Sequence, residues 1–246
     1  MTRNEALEKS LSETQKRKQE EKLYKPLDDF LKRLKKKIKE LFAPLYVSSF
    51  DQLNIIRLGR VSEEIYAKLD EFNRTNYLEL VKHARKWAEW ILGKELPQPD
   101  LKDIVNSYLK GYDPVTQYVY DKELDRKRMR LNESILTAKE YQDLPKLQKA
   151  VKKAMDLCFT QSSQYALDLM DVSLTKAFKD DDQDEYFRWC TVGDEKVCIE
   201  CHERDGKIWP SDAFPSKPHY NCRCFKIPAY DTVDHDPQID EKEKRS

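Results

Sequence analysis

The chain has 246 residues, with 45 basic and 45 acidic side chains, so its net charge of zero argues neither for nor against a nucleic-acid partner. At 37% charged and 39% hydrophobic it is more polar than an ordinary globule, where roughly a quarter charged is usual. No run approaches the ~18 consecutive apolar residues of a membrane span, and the polar stretch Thr2 to Lys22 has no apolar core of a secretory signal.

Six cysteines in such a chain are expected in a reducing compartment, where metal binding outranks a disulfide framework. Five glycines and long periodic segments point to a mainly helical protein. Residues 1 to 22 are good helix formers, but only Leu7 and Leu11 have anything to pack, so this segment is expected to be frayed or partner-dependent. Tyr24, Leu27, Leu31, Leu34, Ile38 and Leu41 then recur at steps of three and four, a heptad-like seam that ends before Pro44. Lys32, Arg33, Lys35, Lys36, Lys37 and Lys39 form a basic run on the same helix. It is either a solvated face or a contact for DNA phosphates or an acidic protein.

Ser48 or Ser49 can cap a helix through about Asn73, followed by a second run from Thr75 to Leu92 that Gly93 ends. His83 lies beside the apolar stripe of that run and reads as a structural histidine. A short helix at 101–110 leads to a Gly111-Tyr-Asp-Pro114 turn, then to a segment that starts extended and turns helical. That segment carries a second basic run, Arg126, Lys127, Arg128 and Arg130. After the break at Asp143-Leu-Pro145 comes a long helix whose buried side is Leu147, Val151, Ala154, Cys158, Tyr165, Leu169 and Val172. Cys158 reads as a small core residue. Past the acidic stretch 180–185 the pattern changes to short strands, at 186–192, 207–209 and 225–227.

The segment from Cys198 to Cys224 reads CIECHERDGKIWPSDAFPSKPHYNCRC. Cys198 and Cys201 form one C-x2-C pair, and His219, Cys222 and Cys224 an H-x2-C-x-C about twenty residues later. Two ligand pairs on turns separated by such a loop are what a tetrahedral zinc site requires. Cys198, Cys201, His219 and Cys222 are the first choice of four ligands; Cys224 competes with Cys222, because both thiolates of a strand-like C-x-C point the same way. His202, directly after Cys201, is expected to point away. A closed site of three thiolates and an imidazole leaves no position for a reacting water, so the Zn2+ is expected to be structural and the chain not an enzyme. The C-terminal fifty residues have little core of their own, and zinc, at about 10–16 kcal/mol of apparent binding free energy, would substitute for the missing burial.

The same segment resembles the C-terminal module of the Mu F-like phage head morphogenesis proteins, the phage minor head proteins. The resemblance rests on Trp189, Asp194, Glu195, Val197, Cys198, Cys201, Asp205, Gly206, Lys207, Pro218, His219, Cys222, Arg223 and Cys224. It departs from the family pattern in that Pro218 precedes His219 without a spacer. Upstream, the stretch from Tyr112 to Tyr120, then Asp125-Arg-Lys-Arg128 and Gln164-Tyr-Ala166, is similar to the helical part of minor head proteins from phages of Gram-positive hosts.

The expected architecture is therefore α+β: mainly α, with long helices and a small C-terminal zinc-pinned β-ribbon. Its segments would be a polar and basic N-terminal arm at 1–45, a helical domain at 46–180, a zinc ribbon at 186–230 and an acidic tail at 231–246. The resemblance implies a structural virion component, at the capsid interior or portal vertex, in the host cytoplasm during assembly. It would take part in procapsid assembly and DNA packaging or delivery, with several copies around the portal. Partners would be the portal or major capsid protein and packaged double-stranded DNA, with no membrane contact. A DNA-binding module is the alternative, and a zinc-containing nuclease the weakest reading.

Overall fold

The computed structural model describes residues 13–53, 55–111, 119–179, 186–191, 197–211, 213–215, 217–218, 222 and 224–229. The fold is mainly helical, with a small antiparallel sheet near the C-terminus, as the sequence leads one to expect. The helices are α1 (Glu13–Phe42), α2 (Leu58–Leu92), α3 (Leu101–Lys110), α4 (Tyr120–Glu140) and α5 (Leu144–Lys179). Three 3-10 turns, Ala43–Leu45, Phe50–Gln52 and Ile55–Arg57, connect α1 to α2. β1 (Tyr186–Cys190), α6 (Ile199–Arg204), β2 (Ile208–Pro210) and β3 (Phe225–Pro228) complete the described chain.

Two compact units are present. One comprises Pro26–His83 and Gln98–Ser173, the other Met1–Lys25, Ala84–Pro97 and Leu174–Ser246. Both are built from non-consecutive segments, an arrangement that composition breaks along a sequence do not reveal. Among its described residues the first has helices and no strand, and is called the all-helical unit. On α1, Leu27, Phe30, Leu34, Ile38 and Phe42 are buried, whereas Leu31 and Leu41 of the expected seam are only half-buried. The stripe follows the straight-helix period, so Phe30 and Phe42 replace them. Phe30 stacks on Phe72 at 6.1 Å and meets Tyr77 edge-on at 5.9 Å; Phe42 meets Tyr66 edge-on at 6.1 Å.

One continuous helix, α2, replaces the two expected on either side of Asn73–Thr75. The polar cluster there looks like a break because short polar side chains compete for backbone groups. Here the competition is resolved. Asn73 sends its amide outward to Ser162 Oγ (2.8 Å) and Tyr120 Oη (3.2 Å), and Thr75 back-bonds to the Glu71 carbonyl at 2.9 Å. Ser48 and Ser49 do not cap this helix. Ser48 bonds through its backbone N–H and its hydroxyl to Gln52 Oε1, closing a 3-10 turn instead. Helix α5 starts two residues before the expected Lys146: Asp143 Oδ1 accepts the Lys146 N–H at 2.9 Å, and Leu144 and Pro145 sit in the first turn, where proline has no N–H to lose.

In the second unit β1 is central, antiparallel to β2 on one edge and β3 on the other. Phe187 lies opposite Trp209 and Pro228, Trp189 opposite Lys226, and Cys190 opposite Phe225. The sheet packs on helical segments of the same unit. Trp87 of α2 meets Phe178 of α5 at 6.4 Å and Phe225 of β3 at 5.7 Å, both edge-on, and Phe178 packs on Phe187 at 5.8 Å. Gly93, with φ of 62°, ends α2, and the Lys94 N–H returns to the Glu89 carbonyl.

Candidate metal centre

Cys198 is the N-cap of α6, and its Sγ accepts the backbone N–H of Cys201 at 3.3 Å. One helical turn thus brings the two cysteines to the same side. The spacing predicts a bare turn here; the short helix has Glu200, Glu203 and Arg204 as helix formers and the Cys198 sulfur as cap of its first turn. The chain then reverses at Gly206, whose φ of 80° suits glycine. The Gly206 N–H donates to the Trp189 carbonyl, and the Trp189 N–H to the Lys207 carbonyl, each at 2.9 Å. Asp205 Oδ1 accepts the Thr191 N–H at 2.8 Å. These bonds fix α6 against β1.

The chain entering β3 brings the second cysteine pair into this frame. Cys201, Cys222 and Cys224 are buried, and their sulfurs all lie within 4.8 Å of one another. The Cys201 and Cys222 sulfurs are 3.6 Å apart. Cys198 sits at the margin, half-buried, with its thiol beside that of Cys201. Cys222 and Cys224, expected to compete for one position, both stand in the cluster. His219 lies outside the described residues, as do Asn221 and Arg223. His202 is exposed on α6 and is not among the residues whose ligand atoms cluster with the sulfurs.

The surround is aromatic. Trp189 and Trp209 are buried against the cluster, 6.4 Å apart. Phe214 stacks on Trp189 at 5.5 Å and meets Trp209 edge-on at 5.9 Å. Arg204 lies over the outer face of this wall, 5.2 Å from the Trp189 ring, and pairs with Glu200. Lys226, only 6% exposed, extends over Phe214 at 4.9 Å. Phe214 falls in a loop of prolines and serines, so nothing in the sequence pattern marks it as part of the wall.

Without a metal the thiols share their protons unequally. The Cys224 thiol donates to Cys222 and holds the Cys222 group down at about 5, while the Cys222 sulfur pushes Cys224 up. Burial raises Cys201 to about 12. The hydrogen-bonded thiols thus favour a thiolate among them within a wall of rings, a costly arrangement that a cation relieves. Four thiols are a soft donor set, and soft thiolates select zinc, copper(I) or iron–sulfur groups. Metal–sulfur bonds of 2.3 Å in a tetrahedron put sulfurs about 3.8 Å apart, close to the Cys201–Cys222 separation. The residues therefore fit a metal ion, with Cys201, Cys222 and Cys224 as its inner set and Cys198 beside them. When bound, the metal supplies a cross-link between α6 and the chain entering β3.

The remaining cysteines stand apart from this set. Cys158 is buried in α5 with its thiol pushed up to about 11 by burial, and Cys190 is buried at the end of β1. The basic runs divide. Lys32, Arg33, Lys35, Lys36 and Lys39 are exposed on α1 and Lys37 is half-buried; Lys32 pairs with Asp29 and Lys36 with Glu40. On α4, Arg126 and Lys127 both reach the buried Glu123, at 2.6 and 3.5 Å, and Arg128 bridges Glu63 and Asp125. Only Arg130 of that run has no ion pair among the described residues. His83 is half-buried on α2.

No protein-family model matches the chain, and no curated protein or solved structure matches it either. No helix among the described residues is long and apolar enough to cross a membrane.

Proposed function

We propose that the chain is a structural assembly protein of the phage minor head type, and that its metal is zinc. The observation that carries the reading is the C-x2-C and H-x2-C-x-C motif set of Cys198–Cys224, with four of its cysteines folded into one aromatic-walled centre. A centre of buried sulfurs and rings that cross-links a small sheet supports a structural rather than a catalytic role. The ribbon is then a rigid docking head for the portal or inner capsid wall, and function is spread over its surface. The test is binding of the purified chain to the portal protein of the same virion, with zinc and after chelation. Zinc-dependent, one-to-one capture supports the reading. Retained fold and portal binding in metal-free Cys198→Ser protein would overturn its zinc component, and failure of the zinc-loaded chain to bind portal or capsid protein its assembly role.

A second reading, contact with packaged DNA, is favoured by the exposed Lys32, Arg33, Lys35, Lys36 and Lys39 on α1. A salt titration of duplex binding decides it, since log affinity should fall with log salt in proportion to the phosphates contacted. Absence of binding at low salt removes this reading.

A further inference from the structure

Arg126, Lys127 and Arg130 do not present a flat cationic face. Together with Lys153 of α5 they converge on a groove of about 460 Å³ between α4 and α5, closed at its inner end by Tyr66 of α2. All of these residues belong to the all-helical unit. Its apolar floor is the buried Leu131 and Ala154, with Leu157, 45% exposed, at its margin. Two carboxylates line it as well. Glu123 is buried and engaged by Arg126 and Lys127, and Glu133 stands at the rim with Arg130 and Lys153. Four cations thus face two carboxylates around an apolar floor. Neither Arg130 nor Lys153 has an ion pair among the described residues.

Each part of this arrangement has a chemical consequence. Glu123 holds the Arg126 guanidinium through both Nε and an Nη, at 3.1 and 2.6 Å, and Gln161 helps anchor Lys127. Those two cations are therefore fixed in position, and a positive wall is pre-organised before any ligand arrives. Arg130 and Lys153, exposed on α4 and α5, carry no ion pair among the described residues and are the pair available to an anion, and arginine suits the bidentate geometry of a phosphate. A floor of leucine and alanine gives no hydrogen bonds, so it selects an apolar or flat aromatic body. The volume lies within the ~300–1,000 Å³ range of small-molecule sites.

We propose that this groove binds an organic phosphate of nucleotide size, with the phosphate between Arg130 and Lys153 and the base or other flat body on Leu131, Ala154 and Leu157. The site is independent of the metal centre. It reassigns Arg126, Lys127 and Arg130 from a duplex-contacting face to the wall of a small-molecule site.

The experiment is calorimetric titration of the full metal-loaded chain with AMP, adenosine, inorganic phosphate and a short DNA duplex at one salt concentration. The expected result is saturable one-to-one AMP binding, with adenosine and inorganic phosphate each at least tenfold weaker. The double variant Arg130→Ala/Lys153→Ala should lose at least tenfold in AMP affinity with unchanged helicity and melting temperature, and Lys36→Ala on α1 should bind as the parent does. No AMP binding at millimolar concentration, equal binding of AMP and adenosine, or an unaffected double variant each overturns the proposal. Duplex binding that the double variant loses, without AMP binding, also overturns it and returns the basic residues to a DNA backbone.

Discussion

Tyr24 of α1 donates its hydroxyl to the backbone carbonyl of Cys224, 200 residues further along the chain, at 3.1 Å in a buried setting. The carbonyl belongs to a residue of the sulfur cluster, so an N-terminal helix residue holds the strand entry that carries the cysteine pair. Lys217 adds to the arrangement, lying 5.8 Å from the Tyr24 ring. Replacing Tyr24 with Phe keeps the ring and leaves the carbonyl unpaired, which costs about 1–3 kcal/mol. The expected result is a lower urea midpoint and faster metal loss to a chelator. A midpoint and release rate equal to those of the parent would show that the bond contributes nothing.

The metal centre makes a prediction that separates the cysteines. Cys201→Ser or Cys222→Ser should abolish stoichiometric metal and unfold the small sheet, because structural metal sites contribute folding free energy directly. Loss of the sheet exposes Trp189 and Trp209, so tryptophan emission should shift to the red. Cys190→Ser should retain full metal content. Thiol titration gives the complementary result. Chelation should release the cluster thiols to a disulfide reagent, while Cys158, buried and with its thiol raised to about 11, reacts only on unfolding. Normal metal content in Cys201→Ser would contradict the assigned ligand set.

Much of this fold was legible in advance, and the exceptions have physical causes. The three strand segments and the long α5 could be read because period-2 runs and an uninterrupted apolar stripe are local signals. The continuity of α2 was not legible, because the partners that absorb the polar Asn73 lie on α4 and α5. At the metal site the spacing of Cys198, Cys201, Cys222 and Cys224 was enough to nominate the cluster. It could not show that Cys222 and Cys224 both enter it, since a C-x-C pair diverges or converges according to the chain entering β3. Tyr24 read as one more seam residue, because a hydroxyl's partner so far along the chain leaves no trace in a periodic pattern. The basic run on α4 read as a contact surface, although Glu123 and Asp125 stand at i,i+3 and i,i+4 spacing from it; Glu63 and Gln161, which also engage it, are distant in sequence.

Three buried tyrosines of the all-helical unit set an alkaline limit. Burial pushes Tyr66, Tyr77 and Tyr120 well above the ordinary tyrosine value near 10. Their folded-state affinity for protons exceeds that of the unfolded chain, so their contribution is fully present below pH ~10 and is lost as pH rises beyond it. Three retained protons give a slope of about 4 kcal/mol per pH unit. Lys127, whose ammonium burial lowers, acts with the opposite sign, but as a single group below its ordinary value near 10.4. Cooperative loss of helicity is therefore expected between pH ~10.5 and ~12, coincident with the late phase of tyrosinate absorbance at 295 nm. Complete tyrosine ionisation with helicity intact would contradict the burial of these hydroxyls.

Asn73 supplies the sharpest test of the helical core. Its side chain is fully buried, and it joins α2 to α4 and α5 through Tyr120 and Ser162, while Tyr77 donates to the Ser162 carbonyl at 3.0 Å. Tyr120 in turn meets Tyr165 edge-on at 4.9 Å, so the polar contact sits inside an aromatic one. Asn73→Ala removes the amide, leaves the buried Ser162 hydroxyl without that donor and opens a small cavity, while the Tyr120 hydroxyl keeps its bond to Asp70, for an expected loss of about 2–4 kcal/mol. If part of the cost lies in the Ser162 hydroxyl, removing it as well should recover that part. The double variant Asn73→Ala/Ser162→Ala should therefore be less destabilised than the sum of its parts, a coupling of about 1 kcal/mol that denaturant titration can read. Simple additivity of the two substitutions would show that Asn73 is held by packing and its other contacts alone.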